Sequence, residues 1–506
     1  MSNYLIKNGL VVDGSGSKPY AGDLIVRDGK ISGILPRKEA DAKEPVPDMA
    51  SVDTSSYEMS QEEAEHMLTP DLQVLDAEGA YVTPGFVDIH RHGDWEALKD
   101  KEDELLSRQG LTTVVNGNCG LATAPAGDIF RGEVDEFLRS VVGVKPAGVD
   151  DCNRSMADYF SVLERRQRSV NTGMLCGSGM IRAAVRGFGG GELSENEKRG
   201  VWRHLEESLG NGALGVSLGI GYAPEMYYDA AGLIEALQPM KGSQVPVITH
   251  IRTEGDGMLD ALDEVMGIAK ALQVPLHVSH LKCIGKRNFG TRPRIVKDMF
   301  AQARAEGLQV DYDLYPYTMG STQLVHVLPP EVQEGGAEAC IARLRDKDQW
   351  PAITARLSKP ADDFENIVEM AGFENIYAVT LYSKKYRDFA GLSIADIAKH
   401  LKQDTYETLY DLLAEEELHT TMLDLVADED DMLYFLNDSH ASLISDAIYP
   451  EGGGYHPRVY GAYPHFLEEY VTKNKNFSIQ DAVQKMTSRP AAVLHIDRGL
   501  IKEGAA

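Results

Sequence analysis

The fold is decided by two neighbouring stretches of sequence, VPVITHIRTEGD (245–256) and VPLHVSHLKCIG (274–285). Each contains a short apolar run with Val and Pro that ends on a histidine, His250 or His280. Short apolar runs rich in β-branched residues are typical of strands buried in a parallel sheet. The segment between them, GMLDALDEVMGIAKAL (257–272), has helical periodicity. Together they predict a strand–helix–strand unit with a polar side chain at the carboxyl end of each strand.

The same repeat of strand and helix extends over most of the chain. Several successive candidate strands start roughly 30 residues apart, which is the length of one βαβ unit. The eight candidate strands are 81–90, 112–117, 173–179, 213–219, 245–250, 275–280, 308–314 and 441–446. They predict an α/β fold with a (β/α)₈ barrel, although a doubly wound sheet would give similar local patterns. Metal-type ligands recur where the strands end, and this placement favours the barrel.

Three additions to the barrel are predicted. Residues 1–80 alternate like short strands and predict the N-terminal part of a small β-sandwich-type domain, with turns at Asp13-Gly14 and Asp28-Gly29. Within them, 38–71 is rich in acid and predicts a flexible or weakly helical insertion. The barrel itself is assigned to 81–490, with a helical, lid-like insertion at 325–435. Residues 491–506 are expected to start a return to the β domain whose remaining strands are missing; unpaired edges there would favour a homo-oligomer.

The composition excludes several classes of partner. The 506 residues include 78 acidic and 50 basic side chains, and the formal net charge is −28. Nucleic-acid binding depends on clustered Lys and Arg, and anionic membranes repel such a surface, so neither partner is expected. A small-molecule substrate is expected instead. Five scattered cysteines and an N-terminus without a secretory pattern predict a cytoplasmic protein with no disulfide framework.

Histidines are the first candidates for chemistry. Alternation along a strand places His90 and His92 on one face, so both point into the barrel mouth and Arg91 points outward. Together with His250 and His280 they form a set of imidazoles that suits Zn²⁺. His277 has the opposite parity to His280, so it is expected to face the helices and to be structural.

Cys119 and Asp446 complete the candidate set. Cys119 follows strand 2 in TTVVNGNCG (112–120), and a thiolate ligand would strengthen a histidine-bound zinc site. Asp446 ends strand 8, where a carboxylate beside a metal-bound water can take its proton and later donate it to a leaving group. Composition alone leaves two other interpretations open. Cys119 is then a small buried residue, and Asp446 is then the cap of a turn or a helix.

These residues lie in motifs that resemble the amidohydrolase superfamily, and within it the D-aminoacylase or N-acyl-D-amino-acid deacylase family. The motifs occur in family order over most of the chain: HRH (90–92), GLTTVVNGNCG (110–120), THIRTEGD (249–256), SHLKCIGKRNFG (279–290), YDLYPYTMGST (312–322), SDAIYPEGGGYHPRVYGAYPHFLEEY (445–470) and KMTSRPAAVLHI (485–496).

The resemblance implies a site and a reaction. It implies one essential zinc on Cys119, His250 and His280, a second, weaker or optional position at His90 and His92, and Asp446 as general base and acid. It also implies a clamp for the substrate carboxylate, formed by Lys282, Tyr315, Ser321 and Arg458. The implied reaction is zinc-dependent hydrolysis of an N-acyl-D-amino acid. Strand 4 (213–219) contains no lysine, which counts against relatives that use a carboxylated lysine, such as hydantoinases and dihydroorotases. Two alternatives stay open: another amidohydrolase reaction, such as cyclic-amide hydrolysis or deamination, and a non-catalytic scaffold.

Overall fold

The computed structural model describes residues 3–38, 58, 60–99, 103–166 and 168–505. The chain forms two compact units, one of Met1–Val87, Gly110–Thr113 and Pro464–Ala506, the other of Asp88–Gln109 and Val114–Tyr463. Most of the acidic insertion predicted at 38–71 lies outside the described residues. Among the residues that are described, no helix combines the length and the apolar character that crossing a membrane requires.

Strands and helices alternate through the chain. The strands are β1 (Tyr4–Val11), β2 (Tyr20–Arg27), β3 (Lys30–Pro36), β4 (Gln73–Asp76), β5 (Tyr81–Val82), β6 (Phe86–Asp88), β7 (Leu111–Asn116), β8 (Asn171–Met174), β9 (Cys176–Gly177), β10 (Val216–Gly219), β11 (Val247–His250), β12 (Leu276–Val278), β13 (Val310–Leu314), β14 (Met319–Gln323), β15 (Ile376–Ala378), β16 (Thr421–Leu425) and β17 (Ala441–Leu443). The helices are α1 (Gln61–Met67), α2 (Asp103–Ser107), α3 (Arg131–Val142), α4 (Met156–Leu163), α5 (Ser178–Arg186), α6 (Glu195–Gly210), α7 (Ala230–Ala236), α8 (Met258–Leu272), α9 (Arg292–Ala305), α10 (Pro330–Gln333), α11 (Gly336–Arg345), α12 (Trp350–Leu357), α13 (Ile367–Ala371), α14 (Ile394–Leu401), α15 (Thr405–Glu415), α16 (Glu429–Leu436), α17 (Arg458–His465), α18 (Ile479–Met486) and α19 (Ser488–Val493).

The first unit contains a five-stranded sheet in the order β3-β2-β1-β4, with β5 also paired to β1. The predicted turn at Asp28-Gly29 joins β2 and β3, and both residues have positive φ, 49° and 77°. This is the backbone that a two-residue hairpin requires. The C-terminal segment returns to the sheet, since Ile31 N donates to Ala505 O at 2.8 Å and Gly504 N donates to Ile31 O at 2.8 Å.

The second unit is built on the predicted barrel. β17, β13, β12, β11, β10 and β9 lie side by side in that order, and all five pairs are parallel. β6, β7 and β8 form the other group of strands. Leu175 N donates to Asn116 O at 2.9 Å, and Asp446 N donates to His90 O at 3.0 Å, so backbone bonds continue between the groups at both ends. All eight predicted strands are present.

One predicted strand is divided. The run 81–90 was expected to be a single barrel strand, but β5 pairs with β1 of the small sheet and β6 belongs to the barrel. Pro84 and Gly85 lie between them. Proline has no N–H to donate to a ladder, so it ends the first pairing and allows the chain to change sheet.

Between β13 and β17 the chain forms a long insertion. It contains the helices α10 to α16, as the helical prediction for 325–435 requires, and also a three-stranded antiparallel sheet that was not predicted, in the order β14-β16-β15. The insertion has its own hydrophobic core, with Leu344, Tyr386 and Leu412 among its buried side chains. Short strands with a mixed polar pattern give little sequence signal, which is why the sheet escaped prediction.

Candidate metal centre and active site

Six predicted site residues lie at the carboxyl ends of five barrel strands, where the ends of parallel strands converge. All six are buried, and the most exposed of them, Asp446, is 7 % exposed. They are His90 and His92 after β6, Cys119 after β7, His250 at the end of β11, His280 after β12 and Asp446 after β17.

Three of these residues have a left-handed backbone. The φ angles of Cys119, His280 and Asp446 are 54°, 34° and 51°. Residues other than glycine rarely adopt this conformation outside sites that require it. The turn also ends the alternation of the strand, so parity along the strand does not determine where the following side chain points.

For this reason the prediction for His277 was wrong. His277 was expected to face the helices because its parity is opposite to that of His280. Instead its Nε2 lies 2.9 Å from Asp313 Oδ2, and the same carboxylate oxygen lies 3.4 Å from His90 Nδ1. His277 therefore points towards the histidine cluster, and His280 reaches it through its left-handed turn.

Cys119 lies between two groups of histidines, His90 with His92 and His250 with His280. Its Sγ lies 3.3 Å from His90 Nε2 and 3.4 Å from His280 Nε2. His250 Nδ1 lies 2.9 Å from His280 Nε2. Three sets of three ligand atoms, each set within 4.8 Å, can be drawn from these residues: His90, His92 and Cys119; Cys119, His250 and His280; and His90, His280 and Asp446.

The donor atoms fit zinc. Thiolate sulfur and imidazole nitrogen, with a carboxylate in addition, are the ligands that this borderline-soft ion prefers. Burial alone raises the pKa of the Cys119 thiol, but the charges of His90 and His280 lower that pKa well below its usual range. A thiolate is the form of cysteine that binds metal.

Two buried carboxylates contact the histidines on the side away from the centre and orient their rings. Asp313 Oδ2 receives a hydrogen bond from His90 Nδ1, and Asp313 Oδ1 accepts from His280 N at 2.5 Å. Glu254 Oε1 lies 3.1 Å from His280 Nδ1. Both arrangements leave Nε2 of the histidine for the centre, as is usual where a carboxylate supports a metal-binding imidazole. Neither Asp313 nor Glu254 was predicted as a site residue, although both lie in motifs quoted for the resemblance.

Arg91 was expected to point outward, away from the histidines, and its side-chain partners do lie outside the histidine cluster, but it is not exposed to solvent. It is buried, and its Nη1 donates to Asp88 Oδ2 at 2.9 Å and to Ser445 Oγ at 3.2 Å, while Nη2 bonds to Tyr449 OH. The residues that follow β17 pack against Arg91, so the side of the chain that Arg91 occupies after β6 is not exposed to solvent. Arg91 ties the first strand to the last.

An aromatic wall beside the histidines was also not predicted. The ring of Tyr222 lies 4.6 Å from that of His250 on one side and 4.6 Å from that of His326 on the other. Tyr222 OH lies 3.1 Å from Thr322 Oγ1 of β14. Burial lowers the pKa of His326 to about 3, so this imidazole is neutral at pH 7. The insertion thus forms part of the wall of the barrel mouth.

The four residues of the predicted clamp lie together around Tyr315. Lys282 Nζ is 5.7 Å and Arg458 Cζ 4.7 Å from the centre of its ring. Lys282 donates to both oxygens of Glu254, at 2.8 and 2.7 Å. Arg458 Nη1 lies 2.9 Å from Asp446 Oδ2. Ser321 was expected to offer its hydroxyl to the substrate, but this hydroxyl donates to Met422 O at 3.0 Å. The carbonyl of Ser321 instead accepts from Arg458 Nη2.

A sequence model described as the amidohydrolase family matches residues 73–355, more than half of the chain. The chain belongs to the amidohydrolase family. This amidohydrolase is 29 % identical over 432 residues to N-acyl-D-glutamate deacylase of Alcaligenes xylosoxydans xylosoxydans, which covers 85 % of the chain and 77 % of that relative. It is 26 % identical over 501 residues to D-aminoacylase of the same organism, covering 99 % of the chain and 86 % of the relative.

The fold is similar to that of a solved deacylase. The crystal structure of N-acyl-D-glutamate deacylase from Bordetella bronchiseptica, in complex with zinc and a phosphonate inhibitor that mimics the tetrahedral intermediate, matches with a TM-score of 0.77 at 25 % identity. The match covers 99 % of this amidohydrolase and 88 % of the other chain. The predicted amidohydrolase barrel is thereby confirmed.

Replacement of Cys119 tests the centre directly. Cys119→Ala removes the ligand between the two histidine groups, so we expect the purified protein to lose nearly all of its zinc, measured by inductively coupled plasma mass spectrometry. Cys176→Ala is the matched control, since Cys176 is equally buried but lies in none of the three ligand sets. Full zinc content in Cys119→Ala would refute the assignment.

Replacement of Asp313 tests whether its contacts with the histidines support metal binding. Asp313→Asn keeps the shape but removes the charge that faces His90 and His277, so zinc affinity should fall about 10- to 100-fold. Competition with a chromophoric chelator measures this. Asp311→Asn, on the same strand but paired with His440, should leave the affinity unchanged; equal losses in both variants would point to a general effect of charge.

Proposed function

We propose that this amidohydrolase is a zinc-dependent enzyme that cleaves the amide of N-acyl-D-amino acids, giving a carboxylate and a free D-amino acid. The observation that carries the proposal is the buried cluster in which Cys119 joins two histidine groups and Asp446 lies between that cluster and Arg458. Similarity to a D-aminoacylase over nearly the whole chain supports the substrate class and its D configuration.

Cys119, His250 and His280 would hold one zinc ion tightly. His90 and His92, with Cys119 shared, would form a second and weaker position. When bound, zinc supplies a Lewis acid that acidifies water and polarises an amide carbonyl.

Asp446 moves the proton in this proposal. Its Oδ1 lies 3.5 Å from His90 Nε2 and 3.4 Å from His92 Nε2, so it faces the centre, while Oδ2 faces Arg458. As water adds to the acyl carbon, Asp446 Oδ1 accepts the proton. It then gives that proton to the amide nitrogen as the C–N bond breaks, so the same carboxylate acts as base and then as acid.

Lys282, Tyr315 and Arg458 would bind the α-carboxylate of the substrate. Arg458 is fully buried, and its Nε has no hydrogen-bond acceptor within the described part of the chain, so a donor is left for a ligand. A buried donor without a partner is costly, and a substrate carboxylate relieves that cost. Ser321 contributes through its carbonyl, which holds Arg458 Nη2 in place. Fixing this carboxylate places the acyl carbon of one enantiomer at the centre.

The role of Asp446 can be separated from metal binding. Asp446→Asn removes the proton acceptor but leaves all five sulfur and nitrogen ligands, so kcat should fall roughly 10²- to 10⁴-fold while zinc content stays near that of the wild type. Steady-state kinetics and metal analysis on the same preparation measure both. Wild-type turnover in Asp446→Asn would show that another group transfers the proton.

The reaction itself is tested with a substrate panel. The zinc-loaded protein should release free amine from N-acetyl-D-amino acids and little from their L enantiomers, measured with an amine reagent. Hydantoins and purines belong in the same panel. Turnover of these compounds but of no acyl-D-amino acid would favour another amidohydrolase reaction. No turnover of any compound, in a protein that binds no zinc, would favour a scaffold.

A further inference from the structure

The inserted sheet contains a buried carboxylate, Asp424. Asp424 lies on β16, opposite Gly320 of β14 and Ile376 of β15. A side-chain carbon at Gly320 would collide with Asp424 Oδ1, so the glycine leaves the space that the carboxylate occupies. Asp424 is 4 % exposed.

The strand pairing places this carboxylate on the same face of the sheet as Thr322. Residues two apart on a strand share a face, so Gly320 and Thr322 lie on one side of β14, together with their partners Asp424 and Met422. Thr322 Oγ1 contacts Tyr222 OH, and the Tyr222 ring packs on His250. Asp424 therefore shares a face of the sheet with Thr322, which contacts the aromatic wall beside His250, and with Met422 and Ile376, which pack in the core of the insertion.

Asp424 also lies near the proposed clamp, because its partner Gly320 precedes Ser321, whose carbonyl accepts from Arg458 Nη2 at 2.9 Å. Burial raises the pKa of Asp424 to about 6, and the charges of Lys282 and Arg458 oppose that rise while the charge of Glu254 adds to it. The carboxylate therefore shares one electrostatic environment with the clamp.

Neither cation of the clamp forms an ion pair with Asp424 in the described part of the chain. Lys282 is paired with Glu254, and Arg458 lies against Asp446. Within the described part of the chain, Asp424 Oδ1 has no hydrogen-bond partner. A buried carboxylate oxygen without a partner is costly, and a cationic ligand group would relieve that cost.

We propose that Asp424 forms the subsite for the substrate side chain and selects N-acyl-D-amino acids with a basic side chain over those with an acidic one. This inference rests on the proposed function and adds its substrate class. An ammonium or guanidinium group of the side chain would pair with Asp424, whereas a second carboxylate would meet a like charge. Overall identity does not decide this point, because the D-glutamate deacylase and the D-aminoacylase are 29 % and 26 % identical to the chain.

Three substrates of similar length provide the test: N-acetyl-D-lysine, N-acetyl-D-norleucine and N-acetyl-D-glutamate. We expect kcat/KM to be highest for the lysine substrate and about 100-fold lower for the glutamate substrate, with norleucine between them. A preference for glutamate would overturn the inference but leave the proposed function intact. Turnover of none of the three, or of any other acyl-D-amino acid, would overturn the proposed function itself.

A pair of variants assigns the preference to Asp424. In Asp424→Asn the ratio of kcat/KM for lysine over glutamate should fall at least about tenfold. Asp430→Asn removes an exposed charge from the same segment and should leave the ratio as it is. Zinc content and circular dichroism show whether each variant is folded. An unchanged ratio in a folded, zinc-loaded Asp424→Asn would overturn the assignment, as would an equal fall in Asp430→Asn.

Discussion

The attraction between the Cys119 thiolate and the His90 and His280 imidazoles is the interaction on which the barrel mouth depends. Burial opposes the charged form of each of these groups when it is considered alone. They are stable together because each charge lies within 3.4 Å of an opposite one, and a bound zinc ion would take over the same role. The histidines keep this geometry through Asp313 and Glu254, which hold them from the side away from the centre.

The same pairing of charges continues outward to the proposed substrate pocket. Lys282 is matched by Glu254 and Arg458 by Asp446, so each clamp cation has a carboxylate partner, although the chain as a whole carries −28. The net charge of a protein describes its interaction with distant partners, whereas a buried pocket is governed by the few charges that line it. Arg458 contacts both Asp446 and the carbonyl of Ser321, and in this way the proposed clamp and the proposed proton acceptor are mechanically linked.

Much of this arrangement could be predicted from the sequence. The apolar runs located the eight barrel strands, and the Asp28-Gly29 pair located the hairpin of the small sheet. The residues Cys119, His250 and His280 were expected to meet because all three follow strands of one barrel, and the structure brings them together. The prediction failed for His277, where a left-handed residue after the strand reversed the parity rule. It also did not find His326 and Asp424, which lie on or next to the short strands of the insertion that escaped prediction.

The sequence by itself determined the barrel, the family and the residues at its strand ends, because strand periodicity and local motifs are properties of short segments. Only the tertiary structure decided which carboxylate supports which histidine, that the Ser321 hydroxyl is already bonded to Met422 O, and that Asp424 is buried opposite Gly320. These contacts join different strands and loops, from Glu254 with His280, 26 residues apart, to His90 with Asp313, 223 residues apart. Their geometry depends on how the insertion packs over the strands, and no local pattern in the chain encodes that packing.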